Sequence, residues 1–95
     1  MAFRHMLFNI VKSDKGFTVK IRSFKGYVEY REGKKVLIVP VYHVFGKPEA
    51  YVKKDTVIRW KSPHSAEEIP KDKRKEILQN IVDAMQFRKY PAKIV

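Results

Sequence analysis

The hydrophobic pattern of this chain changes period once, and that change constrains the fold more than any other feature. In residues 17–22, Phe17, Val19 and Ile21 alternate with Thr18, Lys20 and Arg22. Period two describes a strand with one buried face and one wet face, here a basic one. After Pro63 the pattern is helical: Ile77, Leu78, Ile81, Ala84 and Met85 form a single apolar stripe. Strands first and one helix last predict an α+β domain: a mainly antiparallel sheet of four to six strands with one long C-terminal helix packed on one face.

Turn chemistry divides the first part into short pieces. Residues 8–12 are a short apolar run, followed by the turn Ser13-Asp14-Lys15-Gly16. Lys25-Gly26 makes a second turn, and residues 26–31 read as a strand carrying Tyr27, Val28 and Tyr30. Glu32-Gly33-Lys34 turns the chain back, so neighbouring strands are expected to pair as antiparallel hairpins. Residues 36–45 are nearly all apolar and β-branched, which predicts a strand buried on both faces near the sheet centre. Pro40 cannot donate to a ladder, so a bulge or an exposed edge is expected there. Beyond the loop at 46–49, residues 50–53 and 56–60 read as two short strands, or one broken at Lys54-Asp55.

The helix is expected from Pro70 to Lys89. Pro70 suits a first helical turn, where its missing N–H costs nothing, and Ser65-x-x-Glu68 offers an alternative capping box upstream. Pro91 stops the helix, and residues 92–95 have room for one last short strand.

Ninety-five residues suffice for one modest core, and an apolar fraction of 44% with 13% aromatic residues is that of a folded protein. The absence of cysteine removes disulfides, thiolate nucleophiles and zinc–cysteine sites. No apolar run approaches the roughly 20 residues of a membrane helix, and the first residues lack the apolar core of a signal peptide, so no membrane partner is expected and the cytoplasm is the expected location. His5-Met6 matches the dipeptide left by a common cloning site, and Met6 can serve as initiator. Residues 1–5 are therefore expected to be vector-derived, and residues 6–95 a single α+β domain.

Charge is the strongest compositional signal. The chain carries 21 Lys/Arg against 10 Asp/Glu, a formal net charge of +11. Residues 1–60 hold 13 cations against 5 carboxylates, so the excess is concentrated in the β-rich part. A face carrying Lys12, Lys20, Arg22 and Arg31, with Tyr27, Tyr30 and Tyr42 as stacking surfaces, could attract nucleic acid. Tyrosine is also an ordinary strand residue, and lysines on an outer face keep a sheet soluble and blunt its edges. The chain has no ribonucleoprotein consensus, GxxG clamp or helix-turn-helix pair. The same basic surface can steer an acidic protein partner into place.

Catalytic chemistry finds little support. His43 lies in the apolar strand and reads as a buried or half-buried structural histidine; His64 follows Pro63 in a loop. Neither shows a recognisable spacing to a second catalytic group. Glu67, Glu68, Asp72 and Glu76 cluster at the helix start, where they complement the helix dipole rather than bind a metal. Gly16, Gly26, Gly33 and Gly46 are isolated turn glycines, with no phosphate-cradling loop among them. No enzyme, cofactor or metal site is expected.

The junction between the two periods carries a resemblance. Val57-x-x-Trp60-x-x-Pro63-His64, followed by Ile69, Lys73, Ile77, Ile81 and Met85 in helical register, resembles the bacterial immunity protein 74 family. That resemblance covers about 40 residues and implies a non-enzymatic antidote. Such a protein binds a cognate toxin domain, encoded beside it, of a contact-dependent or secreted polymorphic toxin system. A charge of +11 argues against simple mimicry of nucleic acid. Lys20, Arg22, Tyr42, Arg59, Lys61 and His64 are the expected partner contacts, because Arg and Tyr combine reach, planarity and low entropic cost at interfaces. Trp60, a residue type enriched in hot spots, is expected instead to close the core over Ile77 and Ile81. The alternatives are a small nucleic-acid-binding module using the basic sheet face, or a homo-oligomeric subunit paired through residues 36–44.

Overall fold

The computed structural model describes residues 3–6, 9–22, 25–57, 60–61 and 67–95. Its strands lie side by side in chain order: β1 (Phe3–Met6), β2 (Ile10–Ser13), β3 (Phe17–Arg22), β4 (Tyr27–Glu32), β5 (Lys35–His43), β6 (Ala50–Val52) and β7 (Ala92–Ile94). All neighbours are antiparallel except β6 and β7, which are parallel. The parallel pair needs a long crossover, and helix α1 (Lys71–Phe87) supplies it. The α+β arrangement is the one the change of period predicts. The sheet has seven strands rather than four to six; the added one, β1, lies mostly within residues 1–5 and pairs with β2 from Phe3↔Ser13 to Met6↔Ile10.

Strict alternation decides which face is wet. In β3 the residues Phe17, Val19 and Ile21 are buried, whereas Thr18, Lys20 and Arg22 are only partly so. The buried face continues through Val28 and Tyr30 of β4, Leu37, Val39 and Val41 of β5, and Ala50 and Val52 of β6. Helix α1 covers it with Ile77, Leu78, Ile81, Val82, Ala84 and Met85. Trp60 joins this core at 6% exposure, stacked on the Tyr30 ring at 6.4 Å, and the Lys35 ammonium lies 5.8 Å from its centroid. Its role as a core residue is as expected.

Three expectations fail. Strand β5 is not buried on both faces: Ile38 and Tyr42 are exposed while Leu37, Val39 and Val41 are buried. The long apolar run arises because β5 serves two ladders in succession, pairing with β4 over Lys35–Pro40 and with β6 over Val41–His43. Pro40 sits at that handover. Val41 N donates to Gly26 O on the β4 side, so the missing N–H of Pro40 faces the side where the β6 ladder has ended. His43 is exposed, at the end of the strand, and not a buried structural histidine. Finally, Thr56 belongs to a 3₁₀ turn (Lys54–Thr56), and neither Val57 nor Trp60 is in a strand. The alternative cap at Ser65 lies outside the described residues; the N-cap of α1 is Pro70.

A polar network fixes the helix to the sheet. The buried Tyr30 hydroxyl donates to Glu32 Oε1 (2.8 Å) and accepts from Asn80 Nδ2 (3.2 Å). Lys73 bridges Glu32 at 2.8 Å and Glu76 at 3.0 Å. Burial alone would lower the Lys73 pKa, but the two carboxylates outweigh it and hold the ammonium above its ordinary value.

Candidate functional site: the outer face of the sheet

With α1 on one side, no other described element covers the opposite face of the sheet, and strand register assigns its positions in β2 to β5. One row holds Lys12, Thr18, Arg31 and Val36; the next Ile10, Lys20, Glu29 and Ile38; the third Arg22, Tyr27 and Pro40. Farther along, Tyr42 pairs with Tyr51, and Tyr51 with Lys93. Among the described residues, β2, β3 and β4 present four cations on this face, Lys12, Lys20, Arg22 and Arg31, against one carboxylate, Glu29.

The cross-strand pairs make a shallow recess lined by Lys20, Arg22, Tyr27 and Glu29. Lys20 Nζ lies 3.5 Å from Glu29 Oε2, a buried oxygen that accepts no hydrogen bond. Opposite charges directly across an antiparallel pair contribute only about 0.2–1 kcal/mol. Lys20 is thus only weakly held. Arg22 donates to its neighbour's carbonyl, Ile21 O, at 3.3 Å. Tyr42 is 46% exposed, with the Lys53 ammonium 5.5 Å from its ring centroid.

Of the six expected contact residues, three therefore share this face: Lys20, Arg22 and Tyr42. Lys61 is exposed but stands apart. Its N–H donates to Val36 O at 2.7 Å, six residues back along β5 from Tyr42, a span of about 20 Å at strand rise. Arg59 and His64 lie outside the described residues. Tyr30, considered as a stacking surface, is fully buried on the helix side and unavailable to any partner. The odd–even parity of β4 carried that information: Tyr30 shares the side of Val28, and Tyr27 the side of Glu29.

Three of the four carboxylates near the helix start are engaged in ion pairs, Glu67 with Lys35 (3.2 Å), Glu68 with Arg74 (2.8 Å) and Glu76 with Lys73 (3.0 Å). No group of three or more His, Cys, Asp or Glu is poised to hold a metal among the described residues. Nor is any helix among them long and apolar enough to cross a membrane.

The face thus combines cations, phenol rings and aliphatic side chains on a seven-stranded sheet. A family model described as Immunity protein 74 matches residues 14–95, which spans β3 to β7 and the helix. Neither a curated protein nor a solved structure matches the chain.

Proposed function

We propose that this chain, which belongs to the immunity protein 74 family, is a non-enzymatic antidote that binds and neutralises a cognate bacterial toxin domain in the cytoplasm. The family match over residues 14–95 carries the reading, because it covers both the β-rich part and the helix rather than the junction alone. The outer sheet face is the proposed interface. Lys20, Arg22 and Tyr42 form its proposed centre and Lys61 its far margin; Arg59 and His64 are carried as partner contacts from the sequence alone. An interface of about 800 Å² per partner is roughly 30 Å across, wide enough to include both.

An excess of cations makes an acidic toxin surface the complementary one. The toxin is proposed to be encoded beside this chain. Co-expression with the product of the gene immediately upstream tests the reading, with survival and co-elution as readouts. Rescue of a lethal neighbour and a stable one-to-one complex are the expected results; a harmless neighbour and no complex would overturn the antidote.

A second reading keeps one observation in its favour. Four cations against one carboxylate beside the exposed Tyr42 also suit a nucleic-acid backbone. A duplex-binding surface would give a salt slope of roughly −0.9 per neutralised phosphate, and would bind with no protein neighbour present.

A further inference from the structure

The β5–β6 hairpin carries an aromatic side chain that the core does not use. Lys47 N donates to Val44 O at 3.0 Å, closing a four-residue turn with Phe45 at its first corner and Gly46 at its second. Gly46 has φ +84°, the left-handed value a type II turn requires there, and a Cβ at that position would meet nothing within 4 Å. Glycine is needed for conformation, not space. The first corner makes no matching demand, since it accepts most residues and favours proline. Phe45 nonetheless occupies it at 104% exposure, with Val44 at 50% and Tyr42 at 46% beside it.

Folding collects none of the free energy that burying such a ring returns, about 1.5–3 kcal/mol. Isolated apolar side chains on a surface need no explanation. These three are consecutive or nearly so, at the end of a paired strand whose turn fixes their direction. The local charge has one sign: Lys47 is the only formally charged residue in 42–48, and Lys53 stands over Tyr42. Glu49, the nearest following carboxylate, is already engaged by the Tyr51 hydroxyl (3.3 Å) and Lys93 (3.6 Å). The tip is continuous with the open face, because Tyr42 follows Pro40, which faces Tyr27 and then Arg22 across the ladders.

We propose that Phe45 is an anchor that inserts into an apolar pocket rimmed by carboxylates on the toxin, with Val44 and Tyr42 sealing the contact. The proposal rests on the antidote reading. A pocket suits a single projecting ring better than a bilayer does, since the cations of this face lack the broad apolar surface that lies beside them in a membrane-surface anchor. A second copy of the chain would bring like-charged surfaces of a +11 protein together.

Phe45→Ser and Phe45→Leu test this against the product of the gene immediately upstream, by titration calorimetry. Two controls accompany them: flotation with phosphatidylcholine–phosphatidylglycerol vesicles and sedimentation velocity of the free chain. The serine variant is expected to keep its unfolding midpoint, since no buried contact is lost, and to bind about 30-fold or more weaker. The leucine variant is expected to recover most of that loss. A wild-type complex that tolerates serine within about threefold overturns the anchor and leaves the antidote standing. A wild type that binds no neighbour overturns the antidote, and the anchor with it. Vesicle binding or self-association that serine abolishes also overturns the proposal, assigning the ring to a membrane or a second copy.

Discussion

Among the described residues, two other than glycine hold a left-handed backbone, and they do so for different reasons. Asn9 (φ +60°) uses its side chain there, accepting from Arg88 at 2.9 Å and donating to the Tyr90 hydroxyl at 3.4 Å. Asparagine tolerates this region, and its two hydrogen bonds tie the entry of β2 to the end of the helix. Lys89 (φ +63°) closes α1 in a Schellman geometry: Tyr90 N donates to Met85 O and Lys89 N to Gln86 O. That position favours glycine, and the exposed lysine there pays the left-handed penalty of about 1–2 kcal/mol. Lys89→Gly is therefore expected to stabilise the protein by about 0.5–1 kcal/mol, after the greater unfolded-state entropy of glycine is discounted. Thermal unfolding followed by circular dichroism checks it, and a midpoint that fails to rise by about 2–6 °C would show the strain to be relieved elsewhere.

At the scale of elements, the helix-to-sheet contact turns on Tyr30. Burial pushes its phenol pKa up, the hydrogen bond from Asn80 opposes that, and Glu32 adds to it. A raised folded-state pKa means stability that is fully present below the unfolded value, about 10, and is lost as pH rises through the folded one. Lys73, also raised, acts with the same sign in the same alkaline window. Tyr30→Phe is expected to cost about 1–2 kcal/mol at neutral pH, because Asn80 Nδ2 loses its acceptor. The gap to wild type should narrow between about pH 9 and 11, where the wild type begins to lose the phenol's share. Urea unfolding of both proteins measures that difference, to which the surface lysines contribute equally; a gap constant with pH would rule out the phenol as its source. The element types around this contact were legible in the sequence: period two gave β3 and a helical stripe gave α1, although the helix ends at Phe87 in the turn at Lys89, ahead of the expected stop at Pro91. The limits of β5 were not. A continuous apolar run reads the same whether a strand is covered on two faces or passes from one partner to the next, and only long-range pairing separates the two. Nor did local pattern reveal β1, whose anchor is Phe3 packed on Phe17 (6.1 Å) and Phe87 (5.4 Å) from distant parts of the chain.

For the molecule as a whole, the basic outer face was legible because charge and strand parity are both local, and Lys20 and Arg22 fall on it as alternation requires. Phe45 was not, since within residues 36–45 nothing marks where the chain leaves the sheet and its side chains cease to be covered. The same charge that marks the face acts on the free chain and on its complex in opposite directions. A net charge of +11 repels itself in the compact state, so screening it should raise the stability of the free protein. Attraction to the proposed acidic toxin surface should weaken under the same screening, as the Debye length falls from about 10 Å at 0.1 M salt to about 3 Å at 1 M. Raising salt across that range is thus expected to lift the unfolding midpoint of the free chain while slowing association with the toxin by about tenfold or more. Reversing Lys20 and Arg22 to glutamate separates steering from contact. Steering predicts a large loss of affinity at low salt and a small one at high salt, because only the screened component has been removed. Equal loss at both would mean that these side chains act through direct, desolvated contacts with the partner, and that the excess of cations on the open face serves solubility instead.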